Sequence, residues 1–179
     1  VAIAAAFALG QTGDKGSALN LAESAGELSP EAGREALISA GRLADSSSQD
    51  LRDKLAVFLT NESPEIREGA CRGLFFANAK EKAPQLVALF QTEPDDNVKR
   101  EALYALARLG CPEGAAAYIS YLADPDPFVR GLAVRGYVAE ADVERGGGAH
   151  RERSSPDVQI ALRIDPHLDE AAVVDDGVE

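Results

Sequence analysis

The stretch from Asp95 to Gly110, DDNVKREALYALARLG, decides the fold. It opens on Asp95, whose short carboxylate can accept a hydrogen bond from a free amide of a first helical turn. Asp96 follows, with a charge that suits the positive end of a helix. Val98, Ala102, Ala105, Leu106 and Leu109 then recur at helical spacing and form one apolar face. Gly110 closes the run as a residue suited to the left-handed position after a helix. The stretch reads as one capped, amphipathic helix.

The same reading repeats on both sides of it. SPEAGREALISAGRL starts at Ser29, SPEIREGACRGLFFA at Ser63 and DPFVRGLAVRGYV at Asp126. With Asp95 these starts fall 34, 32 and 31 residues apart. Ser29, Ser63 and Asp126 are capping residues like Asp95. Pro30, Pro64 and Pro127 occupy the first helical position, where the missing amide hydrogen costs nothing. Gly41 resembles Gly110 as a closing residue. The opening AIAAAFALG fits one step earlier, with Ala2 in the column of Ala36, Ala70, Ala102 and Ala133. A second helix completes each unit, roughly over 14–25, 48–60, 81–91 and 112–123. These carry an apolar pair at i, i+3: Leu55 with Phe58, Val87 with Phe90, Tyr118 with Tyr121. No alternating run precedes a hairpin turn. A period near thirty residues with two helices per unit predicts an all-α solenoid, because one such pair cannot bury its apolar face without neighbours.

The pattern LxxLxD, a short turn, then VRxxAxxAL resembles the HEAT repeat, and in particular its short phycobilisome-lyase-like subclass. It is carried by Leu55-Phe58-Asn61 with Ile66-Arg67-Ala70, Val87-Phe90-Glu93 with Val98-Lys99-Ala102, and Tyr118-Tyr121-Asp124 with Val129-Arg130-Ala133. The resemblance implies a superhelix of about four to five HEAT-like hairpins over residues 1–138, the first of them truncated. It also implies a ladder between an acid column (Asn61, Glu93, Asp124) and a base column (Arg67, Lys99, Arg130). Gly33 stands in the base column of the second unit, so the ladder is expected to break there.

Composition bounds the function. The net charge is -12, which argues against nucleic acid and anionic membrane as partners. Residues 1–139 hold 19 acids and 14 bases, and residues 140–179 hold 11 and 4, so the acidity is concentrated at the end. Residues 139–156 read as a flexible linker around RGGGAHRERSSP. Residues 157–179 read as an acidic segment that caps the array, begins another domain, or folds back onto it. The absence of Met, even at position 1, suggests a fragment. Cys71 and Cys111, forty positions apart, read as buried apolar groups in a reducing, cytoplasmic setting rather than as a metal or disulfide pair. No cofactor and no metal are expected. His150 and His167 are not followed by Glu, unlike the iron-binding pairs of HEAT-like hydroxylases, and Gly146-Gly147-Gly148 lacks the strand–helix setting of a phosphate loop. The expectation is a non-catalytic scaffold or adaptor. The alternative is a regulatory or substrate-positioning subunit of a lyase-like enzyme that binds a chromophore or another small ligand.

The resemblance also implies that the VRxxA helices line the concave side. Their exposed stripes, read in steps of four, are Arg34-Ile38-Arg42, Glu68-Arg72-Phe76, Arg100-Tyr104-Arg108 and Gly131-Arg135. Arginine and aromatic residues dominate binding hot spots, and the guanidinium fork matches carboxylate or phosphate. Arg34, Ile38, Arg42, Arg72, Phe76, Arg100, Tyr104, Arg108 and Arg135 are therefore the candidate partner-binding residues, for a protein or an acidic or phosphorylated peptide. The competing expectation is that the arginines pair with Glu35, Glu68 and Glu101.

Overall fold

The computed structural model describes residues 2–12 and 16–144, the side chains of residue 12 and of residues 138–144 excepted. Among these residues the chain is helical throughout: α1 (Ala2–Thr12), α2 (Ser17–Ser24), α3 (Pro30–Arg42), α4 (Gln49–Val57), α5 (Pro64–Phe76), α6 (Ala83–Thr92), α7 (Asp96–Leu109), α8 (Ala115–Tyr121) and α9 (Pro127–Glu144). Short 3-10 turns extend the second-type helices, at Ala25–Glu27, Phe58–Thr60, Lys80–Lys82 and Pro112–Gly114. The architecture is an all-α solenoid.

Each start signal works as its chemistry requires. The Ser29 hydroxyl accepts from the Ala32 amide, and the Ser63 hydroxyl from the Ile66 amide. Asp95 accepts from the Asn97 and Val98 amides, and Asp126 from Phe128. These bonds satisfy donors that a helix leaves unpaired in its first turn. Gly110 closes α7 at φ 65°, with its amide on Ala107 and that of Cys111 on Leu106. That is a Schellman closure, which needs a left-handed residue at this point. Asn78 does the same for α5 at φ 49°, with bonds from Asn78 to Phe75 and from Ala79 to Leu74. Gly41 corrects the expectation made of it. It lies inside α3, which ends at Arg42. A methyl group there would sit 2.2 Å from the Gly73 carbonyl oxygen of α5, so this glycine serves helix approach, not helix ending.

The helices form two rows. In one, α1, α3, α5, α7 and α9 pack flank to flank, with α3 and α5 in the most extensive contact. In the other, α2, α4, α6 and α8 touch their neighbours much less. We call the closely packed row the inner row and the other the outer row. The core lies between the rows, where Leu37, Leu55, Leu74, Leu86, Leu103, Leu106 and Tyr118 are fully buried. The expected apolar pairs point into it: Leu55, Phe58 and Tyr118 are buried, and Val87, Phe90 and Tyr121 pack against its edge. Helix α9 runs to Glu144, past residue 138 where the repeat pattern stops. The expected linker beyond 144, the acidic segment 157–179, and His150 and His167 lie outside the described residues.

Candidate functional site: the inner face and its arginine–aromatic ribbon

The turn that leads into each inner helix is built by the acid column. The Asn61 side-chain carbonyl accepts from the Ser63 amide at 2.9 Å, Glu93 from Asp95 at 3.0 Å, and Asp124 from Asp126 at 2.8 Å. Arg67 straps this turn to the next unit. Its Nε and Nη2 each reach the Glu93 carboxylate at 2.7 Å, while Nη1 holds the Asn61 and Glu62 carbonyls. Burial would raise the Glu93 carboxyl, but the Arg67 fork and the Asp95 amide outweigh it and hold the group below its ordinary range. The bond to Glu93 likewise raises Arg67.

The Arg67–Glu93 rung follows the expected columns. Lys99 turns to Asp96 of its own helix at 3.9 Å. Arg100, one position on, spans to Asp124 at 3.7 Å and to Asp126 at 3.5 Å instead. Arg130 holds the Asp124 and Pro125 carbonyls of its own turn, as Arg67 does in its unit. The break at Gly33 has a packing cause. A Cβ there would lie 2.4 Å from the Ala25 carbonyl oxygen and 2.3 Å from the Ile66 side chain, so no arginine fits.

The inner face carries most of the candidate residues. Arg34 bonds Glu68 of the next helix at 2.9 Å. Arg72 makes a two-pronged pair with Glu101; that bond raises its pKa, and its guanidinium also lies 4.4 Å from the Tyr104 ring centre. Arg42 sits between two rings, 4.8 Å from Phe76 and 5.9 Å from Phe7, and 3.6 Å from Glu35. Phe76 leads to Phe75 (4.9 Å), and Phe75 meets Tyr104 edge-on (5.3 Å). Arg108 lies 5.8 Å over Phe75. The result is a connected ribbon of rings flanked by guanidinium groups across α1, α3, α5 and α7. Cation–ring contacts of this type contribute about 0.5–1 kcal/mol each at exposed sites.

Ile38 leaves the candidate surface. It is 5% exposed and belongs to the core. Arg34, Arg42, Arg72 and Arg100 are joined to carboxylates, as the competing expectation had it for Glu35, Glu68 and Glu101. Arg108 and Arg135 are exposed, and neither is in an ion pair among the described residues. Phe7 and Phe75 were not singled out from sequence, because the relevant signal is contact between units and not a position within one. A second feature also went unforeseen: an open groove of about 1050 Å³ between the outer helices α4 and α6.

The cysteines are buried and free. Burial pushes the Cys111 thiol up to about 11 and Cys71 higher still, so neither is a thiolate near neutrality. Among the described residues no group of three or more His, Cys, Asp or Glu is placed to hold a metal ion. No described helix is long and apolar enough to cross a membrane.

Comparison with curated proteins found no match. The model of the HEAT repeats matches residues 26–107 and 83–138, more than half of the chain. The caps, the inner row of VRxxA helices and the Arg67–Glu93 rung are the physical content of that match, and the chain belongs to the HEAT-repeat family.

Proposed function

We propose that this chain is a non-catalytic interaction scaffold whose inner face binds a protein segment rich in acidic or phosphorylated side chains. The observation that carries the reading is the ribbon of arginine and aromatic groups, which ends at the exposed Arg108. A guanidinium stacked on a ring is held in one orientation, so its edge can meet a carboxylate or phosphate at lower entropic cost. Rings and arginines are also the side chains that dominate hot spots. HEAT repeats commonly serve as protein-interaction scaffolds, which supports the broader reading. The short spacing of the units supports the phycobilisome-lyase-like subclass. The two reduced, buried cysteines fit a cytoplasmic setting.

The test uses Arg108→Glu together with Arg135→Glu. Both side chains are exposed and are not needed for the ion pairs between units. Fluorescence anisotropy with a labelled glutamate-rich peptide and its phosphoserine counterpart should show binding to the parent chain. The double variant should lose about tenfold or more in affinity, with its thermal unfolding midpoint unchanged. Equal affinity in parent and variant would sink the acidic-partner reading.

A further inference from the structure

The outer helices meet their neighbours at three seams, and one of them stands open. Between α2 and α4 the Phe58 ring packs over Gly26. Between α6 and α8 the Phe90 and Tyr121 rings meet edge-on at 5.6 Å. Phe58 and Phe90 occupy the same column of successive units, yet each is engaged by the neighbour away from the other. The seam between α4 and α6 therefore receives no ring. Its walls present Ala56 and Ala88, with Leu59 and Leu89 beneath and Val57 on the lip at 65% exposure. The groove of about 1050 Å³ is several times the size of any one side chain, so it has room for a segment and not for a single residue. The exposed surface of this groove is mostly apolar, and an apolar cleft of this size is where a partner group inserts.

Charge and backbone chemistry say what fits. The two bases that line the groove are both engaged: Lys82 with Asp53 at one end and Arg67 with Glu93 at the other. The Glu62 carboxylate on the rim is in no ion pair among the described residues, and the chain as a whole carries -12. Both walls are helices, whose backbone groups bond internally. An extended segment laid between them would find no ladder partners for its own amides, whereas a helix brings its amides already satisfied.

We propose that the α4–α6 groove docks an amphipathic helix of a partner protein, one that inserts a bulky apolar side chain between Ala56 and Ala88 and places a lysine or arginine beside Glu62. This site lies on the outer row, apart from the arginine–aromatic ribbon, and does not depend on the acidic-partner reading.

The chain contains no tryptophan, so a single tryptophan in a ligand is a clean reporter. The probe is a synthetic amphipathic helix of leucine and lysine with one tryptophan on its apolar face. A matched peptide with glutamate in place of lysine serves as the comparison. The lysine peptide should shift its emission to the blue on titration with the full chain, and the glutamate peptide should not. Ala88→Phe narrows the groove from an exposed position and should weaken binding about tenfold. Val57→Glu, also exposed, guards against a folding artefact and should weaken it similarly. Glu62→Lys should weaken it about threefold at low salt, with the loss shrinking as salt screens the pair. Arg108→Glu, on the other face, should leave it within about twofold. Equal binding by the Ala88→Phe and Val57→Glu variants, or equal binding of the two peptides, would overturn the proposal.

Discussion

Helix α5 is held on its two flanks by different physics. Toward α3 the contact is backbone against backbone. Gly41 faces Gly73, and Gly69 lies against the Arg34 main chain with no room for a methyl group. Toward α7 no described glycine is involved. Two arginine–glutamate pairs, Arg67 with Glu93 and Arg72 with Glu101, reach across it beside the Phe75–Tyr104 contact. Small residues bring helices close enough for dispersion contacts along the whole seam. Long charged side chains bridge a wider seam, at the cost of desolvating both partners. One solenoid thus contains a seam held mainly by backbone contact, with one partly exposed ion pair across it, beside a seam whose stability rests on charge.

The sharpest way to break the contrast is Arg67→Ala. The Glu93 side chain is 1% exposed, so the variant strands a carboxylate inside the protein. Loss of a buried partner costs about 3–5 kcal/mol, and chemical denaturation should show a loss of that size. The same pair predicts acid sensitivity. A carboxyl whose folded pKa is depressed, as that of Glu93 is, contributes stability above its unfolded value of about 4.3. That contribution is lost as pH falls through the folded value. The parent chain should therefore lose stability below about pH 4.3, and Glu93→Gln should lose less over that interval. A parallel pH profile in the two proteins would refute the assignment.

Next comes Gly41→Ala. In an ordinary helix this change stabilises by about 1 kcal/mol. Here the new methyl meets a backbone oxygen at 2.2 Å, which has no rotamer to yield. The expected outcome is reversed in sign, a loss of about 2 kcal/mol, unaffected by salt. A stabilised variant would show that the α3–α5 approach is looser than described. The smallest effect belongs to Arg34→Ala. Its pair with Glu68 crosses the glycine seam, but the arginine side chain is 37% exposed. The expected loss is about 0.5 kcal/mol or less, vanishing at high salt.

The repeat, the four helix starts, the Schellman closure at Gly110 and the core columns were legible in the sequence. All are local: a cap, a proline, a glycine or a helical spacing acts within one unit. The reading failed where a residue's role depends on the unit beside it. Ile38 reads as exposed by stepping four from Arg34, yet it turns into the core. Gly41 reads as a helix end, yet the helix continues through it, because Gly73 of the neighbouring helix requires that surface to be bare. Lys99 occupies a ladder column, but Arg100 has the reach to Asp124 and Asp126.

The candidate site divides in the same way. Sequence alone determined that arginines and rings share one row of helices, because the period aligns them. It also determined that Gly33 breaks the ladder. Only the tertiary structure decided that Arg42 sits between Phe7 and Phe76, that Arg34, Arg42, Arg72 and Arg100 meet carboxylates, and that Phe58 and Phe90 are engaged away from each other to leave a groove. The physical reason is distance. Periodicity sets which side chains face the same way, but the spacing between units is set by glycine contacts on one flank and by charged reach on the other. Those distances decide which neighbour each side chain finds.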